Sequence, residues 1–180
     1  MPISGNNYTL TPNEKIDGST LPSSVNTIVG AGGNVVTLGS NQSYQDGPGN
    51  NTINFVAYNN ETLNYWKATQ PVNINLQTGI VSNNGLGGTD TLKGLQYLGY
   101  INLADSNANV IGGQYQMHYG VNNGNTTITG GSTGNDFIEF YNPISNYTYK
   151  VNSNGSITFT NNSSGTTTTT ANIYRLLFIT

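Results

Sequence analysis

Gly124-Asn125-Thr126-Thr127-Ile128-Thr129-Gly130-Gly131 runs directly into Ser132-Thr133-Gly134-Asn135-Asp136-Phe137-Ile138. A glycine-led corner, a polar step and one large aliphatic residue follow one another twice in this stretch. The same rhythm stands in Gly47-Pro48-Gly49-Asn50-Asn51-Thr52-Ile53-Asn54. Looser copies are Gly32-Gly33-Asn34-Val35-Val36 and Asn107-Ala108-Asn109-Val110-Ile111-Gly112-Gly113. A tight turn feeding a three-residue strand with one inward aliphatic is the unit of a parallel β-solenoid. One unit cannot bury its aliphatic alone. Stacked units share a ladder of Ile and Val, joined coil to coil by backbone hydrogen bonds. The fold expected is all-β: a short parallel β-roll or β-solenoid with an antiparallel closing strand pair.

Working outward, short alternating runs continue along the chain. They are Asn34 to Leu38, Thr52 to Val56, Val72 to Leu76, Thr127 to Thr129, Phe137 to Phe140, Tyr147 to Val151, Ser156 to Thr160 and Ile173 to Ile179. Each puts apolar side chains on one face with period two. No convincing helix is present; Thr62 to Lys67 and Thr91 to Leu98 offer one short turn each. Pro2, Pro12 and Pro22 break up residues 1–24, read as an irregular lead-in or arm. Residues 25–180 are read as one domain. The run Gly165 to Thr170 is read as a flexible loop or edge strand. A regular Thr array would suit ice, but this run is only one strand's worth.

Composition narrows the function classes. The chain has 180 residues, 5 Lys+Arg, 8 Asp+Glu, 1 His and no Cys, with a net charge of −3. Duplex binding rests on many cations neutralising phosphates, so nucleic acid is not an expected partner. Thiolate metal sites are excluded. No apolar run approaches the roughly 18 residues of a membrane-spanning helix, and no membrane partner is expected. The start of the sequence lacks the basic and apolar regions of a secretory signal. Neutral polarity replaces charge: 30 Asn and 24 Thr stand beside 23 Gly and 12 Tyr. Asn and Gly favour turns, Thr and Tyr favour strands.

The segment Gly130 to Ile138 resembles, with one extra residue, the G-G-x-G-x-D-x-U-x motif of the repeats-in-toxin (hemolysin-type calcium-binding) β-roll family. Val72 to Gly79 followed by Gly87 to Leu95 is similar to the spacer leading into such rolls. Tyr149 to Phe159, then Ile173-Tyr174-Arg175-Leu176-Leu177-Phe178, is similar to the segment closing them. The resemblance implies calcium held by motif carboxylates and turn carbonyls. Calcium takes six to eight oxygen ligands. Only Asp136 stands at the motif Asp, with Asn51 and Thr126 in other copies, and Asp46, Asp90 and Asp105 lie near glycines off that position. The metal candidates are therefore Asp136, Asp46, Asp90 and Asp105, for a single calcium ion at most. The preferred reading is that Asn side chains bond turn backbone and stack as amide ladders.

Catalytic constellations are thin. His118 has no G-x-S-x-G nucleophile to serve and reads as a structural strand residue. Glu61, Glu139, Asp105 and Asp136 could pair as glycosidase carboxylates, which makes a polysaccharide-active solenoid the third reading. Tyr65 and Trp66 could form a sugar platform. The leading expectation is a non-catalytic structural protein, a virion surface component such as a bacteriophage head-decoration or fibre protein. Its partners would be itself or other structural proteins of an assembly. The runner-up is a secreted or surface-layer adhesive or calcium-binding module of a bacterium, with a surface polysaccharide as a further partner. Both place the chain on a virion or an extracellular surface.

Overall fold

The computed structural model describes residues 3–56 and 61–179. The first half contributes β1 (Ile3–Ser4), β2 (Asn7–Thr9), β3 (Lys15–Asp17), β4 (Thr27–Val29), β5 (Val35–Thr37), β6 (Ser43–Gln45), β7 (Asn51–Asn54), β8 (Glu61–Asn64), β9 (Val72–Asn75), β10 (Ile80–Asn84) and β11 (Asp90–Lys93). The second half contributes β12 (Leu98–Ala104), β13 (Ala108–Ile111), β14 (His118–Val121), β15 (Thr126–Thr129), β16 (Phe137–Phe140), β17 (Tyr147–Val151), β18 (Ile157–Asn161), β19 (Thr167–Ala171) and β20 (Arg175–Phe178). Among the described residues the helical elements are two short 3-10 turns, Gly18–Thr20 and Ile144–Asn146. Among the described residues no helix is long and apolar enough to cross a membrane.

The strands form two sheets that the chain visits in turn. One sheet runs β1-β2-β4-β6-β8-β12-β14-β16-β20, and the other runs β17-β18-β19-β15-β13-β9-β10-β11-β7-β5-β3. Most neighbours are parallel, so the fold is an all-β, two-sheet parallel solenoid. Its core is a ladder of inward residues. In the first sheet Tyr8, Ile28, Tyr44, Leu63, Ile101, Tyr119, Ile138 and Leu176 lie in register. In the second, Ile16, Val36, Ile53 and Leu92 form one column. Ile74, Val110 and Ile128 form another, which Thr170 extends. Each coil thus contributes one or two apolar groups to a shared axis, and only stacking removes them from water.

Two local expectations are corrected. Residues 3–17 are not irregular: β2 and β3 pair in parallel with β4 and β5 and make the first coil. Pro12 falls between β2 and β3 and Pro22 between β3 and β4, where no ladder donor is lost; Pro2 lies outside the described residues. Thr62 to Lys67 and Thr91 to Leu98 each leave a strand and hold one short turn, as expected, Ala68 N–H donating to the Tyr65 carbonyl and Tyr97 N–H to that of Gly94. The Thr run is a central strand, β19, hydrogen-bonded between β15 and β18. Thr168 and Thr170 are buried while Thr167 and Thr169 face outward. A β-branched residue with one methyl and one hydroxyl serves either face of a pleated sheet.

Twice the chain leaves the simple alternation. After β8 it lays down β9, β10 and β11 in the second sheet, with β10 antiparallel to both neighbours. After β16 it lays down β17, β18 and β19 in the same way, so the expected antiparallel closing pair is part of a three-strand excursion. In each, a left-handed glycine, Gly79 or Gly155, makes the first reversal; that backbone conformation strains any residue with a Cβ. In each, a buried Asn makes the second. Asn84 Oδ1 accepts Leu86 and Gly88 N–H, and Asn161 Oδ1 accepts Ser163 and Ser164 N–H.

Candidate functional site

The corner preceding the second sheet gathers two of the four candidate metal ligands. Asp46 follows β6 and Asp90 opens β11; both are buried. Asn51 Nδ2 donates to Asp46 Oδ1 at 3.2 Å and to Asp90 Oδ1 at 3.0 Å. Asn84 Nδ2 donates to Asp90 Oδ1 at 3.3 Å and to the Gly49 carbonyl at 3.0 Å. Tyr65 Oη donates to Asp90 Oδ2 at 3.0 Å. Burial raises both carboxyl pKa values, and the neighbouring Asp90 charge raises that of Asp46 further. The pair therefore retains a proton where ordinary aspartates are ionised.

The orientation of the amides decides what this cluster accepts. Asn51 Oδ1 is used by the Asn34 backbone N–H, and Asn84 Oδ1 by Leu86 and Gly88. Both amides therefore turn N–H, not oxygen, toward the carboxylates. A calcium ion needs oxygens there, and the donor set does not fit it. Asp136 sits in a different corner, its Oδ1 accepting Met117 N–H at 2.8 Å and its Oδ2 accepting Gly131 N–H at 2.7 Å. Asp105 lies on an exposed turn, accepting from Asn122 Nδ2 at 2.9 Å. The four candidates thus occupy three separate places. Among the described residues no group of three His, Cys, Asp or Glu side chains could hold a metal. Excess chelator is expected to leave the thermal midpoint unchanged. A calcium ion present at a hundred times its dissociation constant would contribute about 2.7 kcal/mol, so a fall of several degrees in a calorimetric melt would overturn this reading.

These side chains join coil to coil. Asn51 Oδ1 accepts the N–H of Asn34, Asp90 Oδ1 that of Asn51, and Asp136 Oδ1 that of Met117. In each case an amide or carboxylate takes up a backbone donor from the adjacent coil; Asn51 N–H is shared with the Thr89 carbonyl at 3.1 Å.

The outer face of the first sheet carries a second group that sequence reasoning missed. Tyr100, His118, Phe137 and Arg175 lie in one in-register row across β12, β14, β16 and β20. The Tyr100 and His118 rings meet edge-on at 4.7 Å, and the Arg175 guanidinium lies 5.3 Å from the centre of the Phe137 ring. In the next row Glu139 Oε2 accepts from Tyr100 Oη at 3.1 Å and lies 3.6 Å from His118 Nε2. Tyr100 Oη also bonds Tyr141 Oη, which reaches Asn102 Oδ1 at 3.3 Å. These hydroxyls meet over Gly120, where a Cβ would run into both. Partial burial lowers the His118 pKa although Glu139 opposes this, so His118 is neutral at pH 7.

The glycosidase candidates do not converge. Glu61 and Asp136 are buried, Asp105 is on its turn and Glu139 faces outward. Tyr65 is buried, whereas Trp66 is half exposed with Lys67 Nζ 4.9 Å from its ring centre; the two do not form one platform. The signal for the Tyr100 row was the coil length itself: its members recur 18, 19 and 38 residues apart, which is one, one and two coils. No known protein family, characterised protein or solved structure matches this chain, so the repeats-in-toxin resemblance rests on the quoted residues alone.

Proposed function

We propose that the chain is a non-catalytic structural protein of a larger assembly, acting at a virion surface as a head-decoration or fibre component. The observation that carries this reading is where the acidic groups are spent. Glu14 and Asp17 bond turn backbone at Thr11 and Ser19. Asp46, Asp90, Asp105 and Asp136 hold neighbouring turns and coils, and Glu61 is buried. Glu139 instead bonds the Tyr100 side chain on an outer sheet face. A chain whose ionisable side chains are consumed in holding rungs together suits rigidity better than turnover. Its low charge also weakens repulsion between closely packed copies.

A second reading, adhesion to a surface polysaccharide, is favoured by the Tyr100, His118, Phe137 and Arg175 row. Flat rings beside amide, carboxyl and guanidinium groups match the apolar faces and hydroxyls of sugars. One experiment separates the two. Antibody labelling and mass spectrometry of purified virions from the source should find the chain at fixed stoichiometry on the particle. Its absence from particles, together with polysaccharide binding lost in Tyr100→Ala, would replace the first reading by the second.

A further inference from the structure

Three Asn-Gly pairs stand in the sequence: Asn84-Gly85, Asn123-Gly124 and Asn154-Gly155. Glycine has no Cβ to shield its backbone nitrogen, so that nitrogen can attack the side chain of the asparagine before it. The fold treats the three pairs differently. Asn84 is fully buried, and its Nδ2 donates to the Gly47 and Gly49 carbonyls and to Asp90 Oδ1. Its Oδ1 accepts Leu86 and Gly88 N–H, and Gly85 N–H donates to Asn83 Oδ1 at 2.9 Å. Turning this side chain onto Gly85 would strand several buried polar groups. Asn123 is exposed, but its Oδ1 accepts Asn161 Nδ2 at 3.2 Å and its N–H reaches Asp105 Oδ1 at 3.2 Å. Gly124 is buried, its Cα pressed against the Ser106 carbonyl.

The third pair differs at each of these atoms. Asn154 and Gly155 are exposed at the tip of the hairpin joining β17 to β18. Nothing lies within 4 Å of the place a Gly155 Cβ would take. The Asn154 side chain bonds through Oδ1 alone, which accepts Ser156 N–H at 3.1 Å and Ser156 Oγ–H at 2.7 Å. Its Nδ2 is left to water. This exposure does not hang on the open edge of β17. The matching turn of the first excursion, Gln77-Thr78, is exposed although β13 is stacked on the far side of β9.

We propose that Asn154 is a site of spontaneous deamidation in the folded protein, assisted by Ser156, with water as the only co-reactant. Gly155 N attacks Asn154 Cγ, and the new N–Cγ bond closes a five-membered succinimide. The Cγ–Nδ2 bond breaks, and ammonia leaves with the proton that Gly155 N gave up. Water then opens the ring. Cleavage of the N–Cγ bond gives aspartate, and cleavage of the bond from N to the Asn154 backbone carbonyl carbon gives isoaspartate. In sum, one amide and one water become one carboxylate and one ammonium ion. The attack places negative charge on Oδ1, the atom at which both Ser156 donors already point, and donors fixed on such an oxygen stabilise the charge as it forms. Gly155 N–H donates to the Asn152 carbonyl at 3.0 Å; this bond lies at the exposed hairpin tip, where water replaces it as the proton is lost. The new carboxylate is ionised at pH 7 and adds one negative charge to the formal −3 of the chain. The proposal goes beyond the assembly reading and holds whether or not the chain sits on a particle.

The test is incubation of the full chain at mildly alkaline pH, followed by anion exchange and peptide mass analysis. A more acidic species is expected to accumulate, with NH2 replaced by OH at Asn154 and part of the product isoaspartyl. Asn84 and Asn123 should convert at least tenfold more slowly. In urea the three pairs should convert at comparable rates, because the selectivity belongs to the fold. Asn154→Gln should remove the acidic species. Ser156→Ala should slow its formation severalfold while the circular-dichroism melt stays near the parent's. Conversion of Asn84 or Asn123 in the folded chain as fast as Asn154 would overturn the proposal. So would a folded chain that stays unmodified while the chain in urea converts, or a parental rate in Ser156→Ala.

Discussion

Ile138→Asn is expected to leave the chain without a cooperative thermal transition. Ile138 is fully buried and lies in the ladder between Tyr119 and Leu176. Two losses add. Removing a buried Ile from the core forfeits about 1.5–3 kcal/mol. The amide that replaces it enters an apolar column with no partner, at a further penalty of about 1–3 kcal/mol. Together these reach the low end of a domain's whole stability, about 5–15 kcal/mol. A solenoid adds a multiplier that a globular core lacks. Each coil is stabilised mainly by its neighbours, so a broken rung at β16 also exposes β14 on one side and β20 on the other. The control is Thr127→Asn, which is solvent-exposed on the outer face of β15 and should change the melt by no more than about 0.5 kcal/mol. Circular dichroism of both variants checks this. A native-like midpoint for Ile138→Asn would mean that the shared axis is not where the stability resides.

That ladder is the part of the fold most legible from sequence. Ile53, Ile128 and Ile138 each follow a glycine or asparagine corner, Ile74 follows Pro71, and all four are buried on the common axis. What stayed hidden was of two kinds. The first coil was obscured because β1, β2 and β3 are only two or three residues long, too short for alternation to register. The reversed strands β10 and β18 were obscured because period two carries no direction: Val81 and Phe159 point inward whichever way their strands run. The candidate sites divide in the same way. That Asp136 and the Asn corners bond turn backbone follows from local chemistry. The meeting of Asp46 with Asp90 depends on β11 lying beside β7 in parallel, which only the three-strand excursion brings about. The Tyr100 row needs the coil length before its members can be seen as neighbours.

Stability is expected to fall as the pH is raised from 5 to 9, the reverse of the behaviour of a protein held by ionised carboxylates. Burial and the mutual charge of the pair push the Asp46 carboxyl up to about 9, and burial pushes that of Asp90 up to about 6. Unfolded aspartates titrate near 3.9. Between these values the folded state holds a proton that the unfolded state has released, so raising the pH favours unfolding. The stabilisation is complete below about pH 4 and is lost as the pH climbs through 6 and then 9. Tyr44 and Tyr65, buried around the pair, have their own pKa values raised and stay neutral throughout, so they supply no compensating charge. Asp136, also buried and raised, acts in the same direction. Below pH 6.5 the lowered pKa of His118 works the other way, since the folded state resists its protonation. At still lower pH the exposed, lowered carboxyls of Glu14 and Asp17 add to that opposing slope. The midpoint should therefore be highest near pH 5 and decline into the alkaline range. Asp46→Asn isolates the cause. The amide keeps the shape of the carboxyl and places no second charge beside Asp90, so its melting curve should be flatter between pH 6 and 9 and higher than the parent's at pH 9. Calorimetry across this range decides the matter. A parent midpoint that rises with pH, or an Asp46→Asn variant with the parent's slope, would mean that the two carboxyls do not share a proton inside the solenoid.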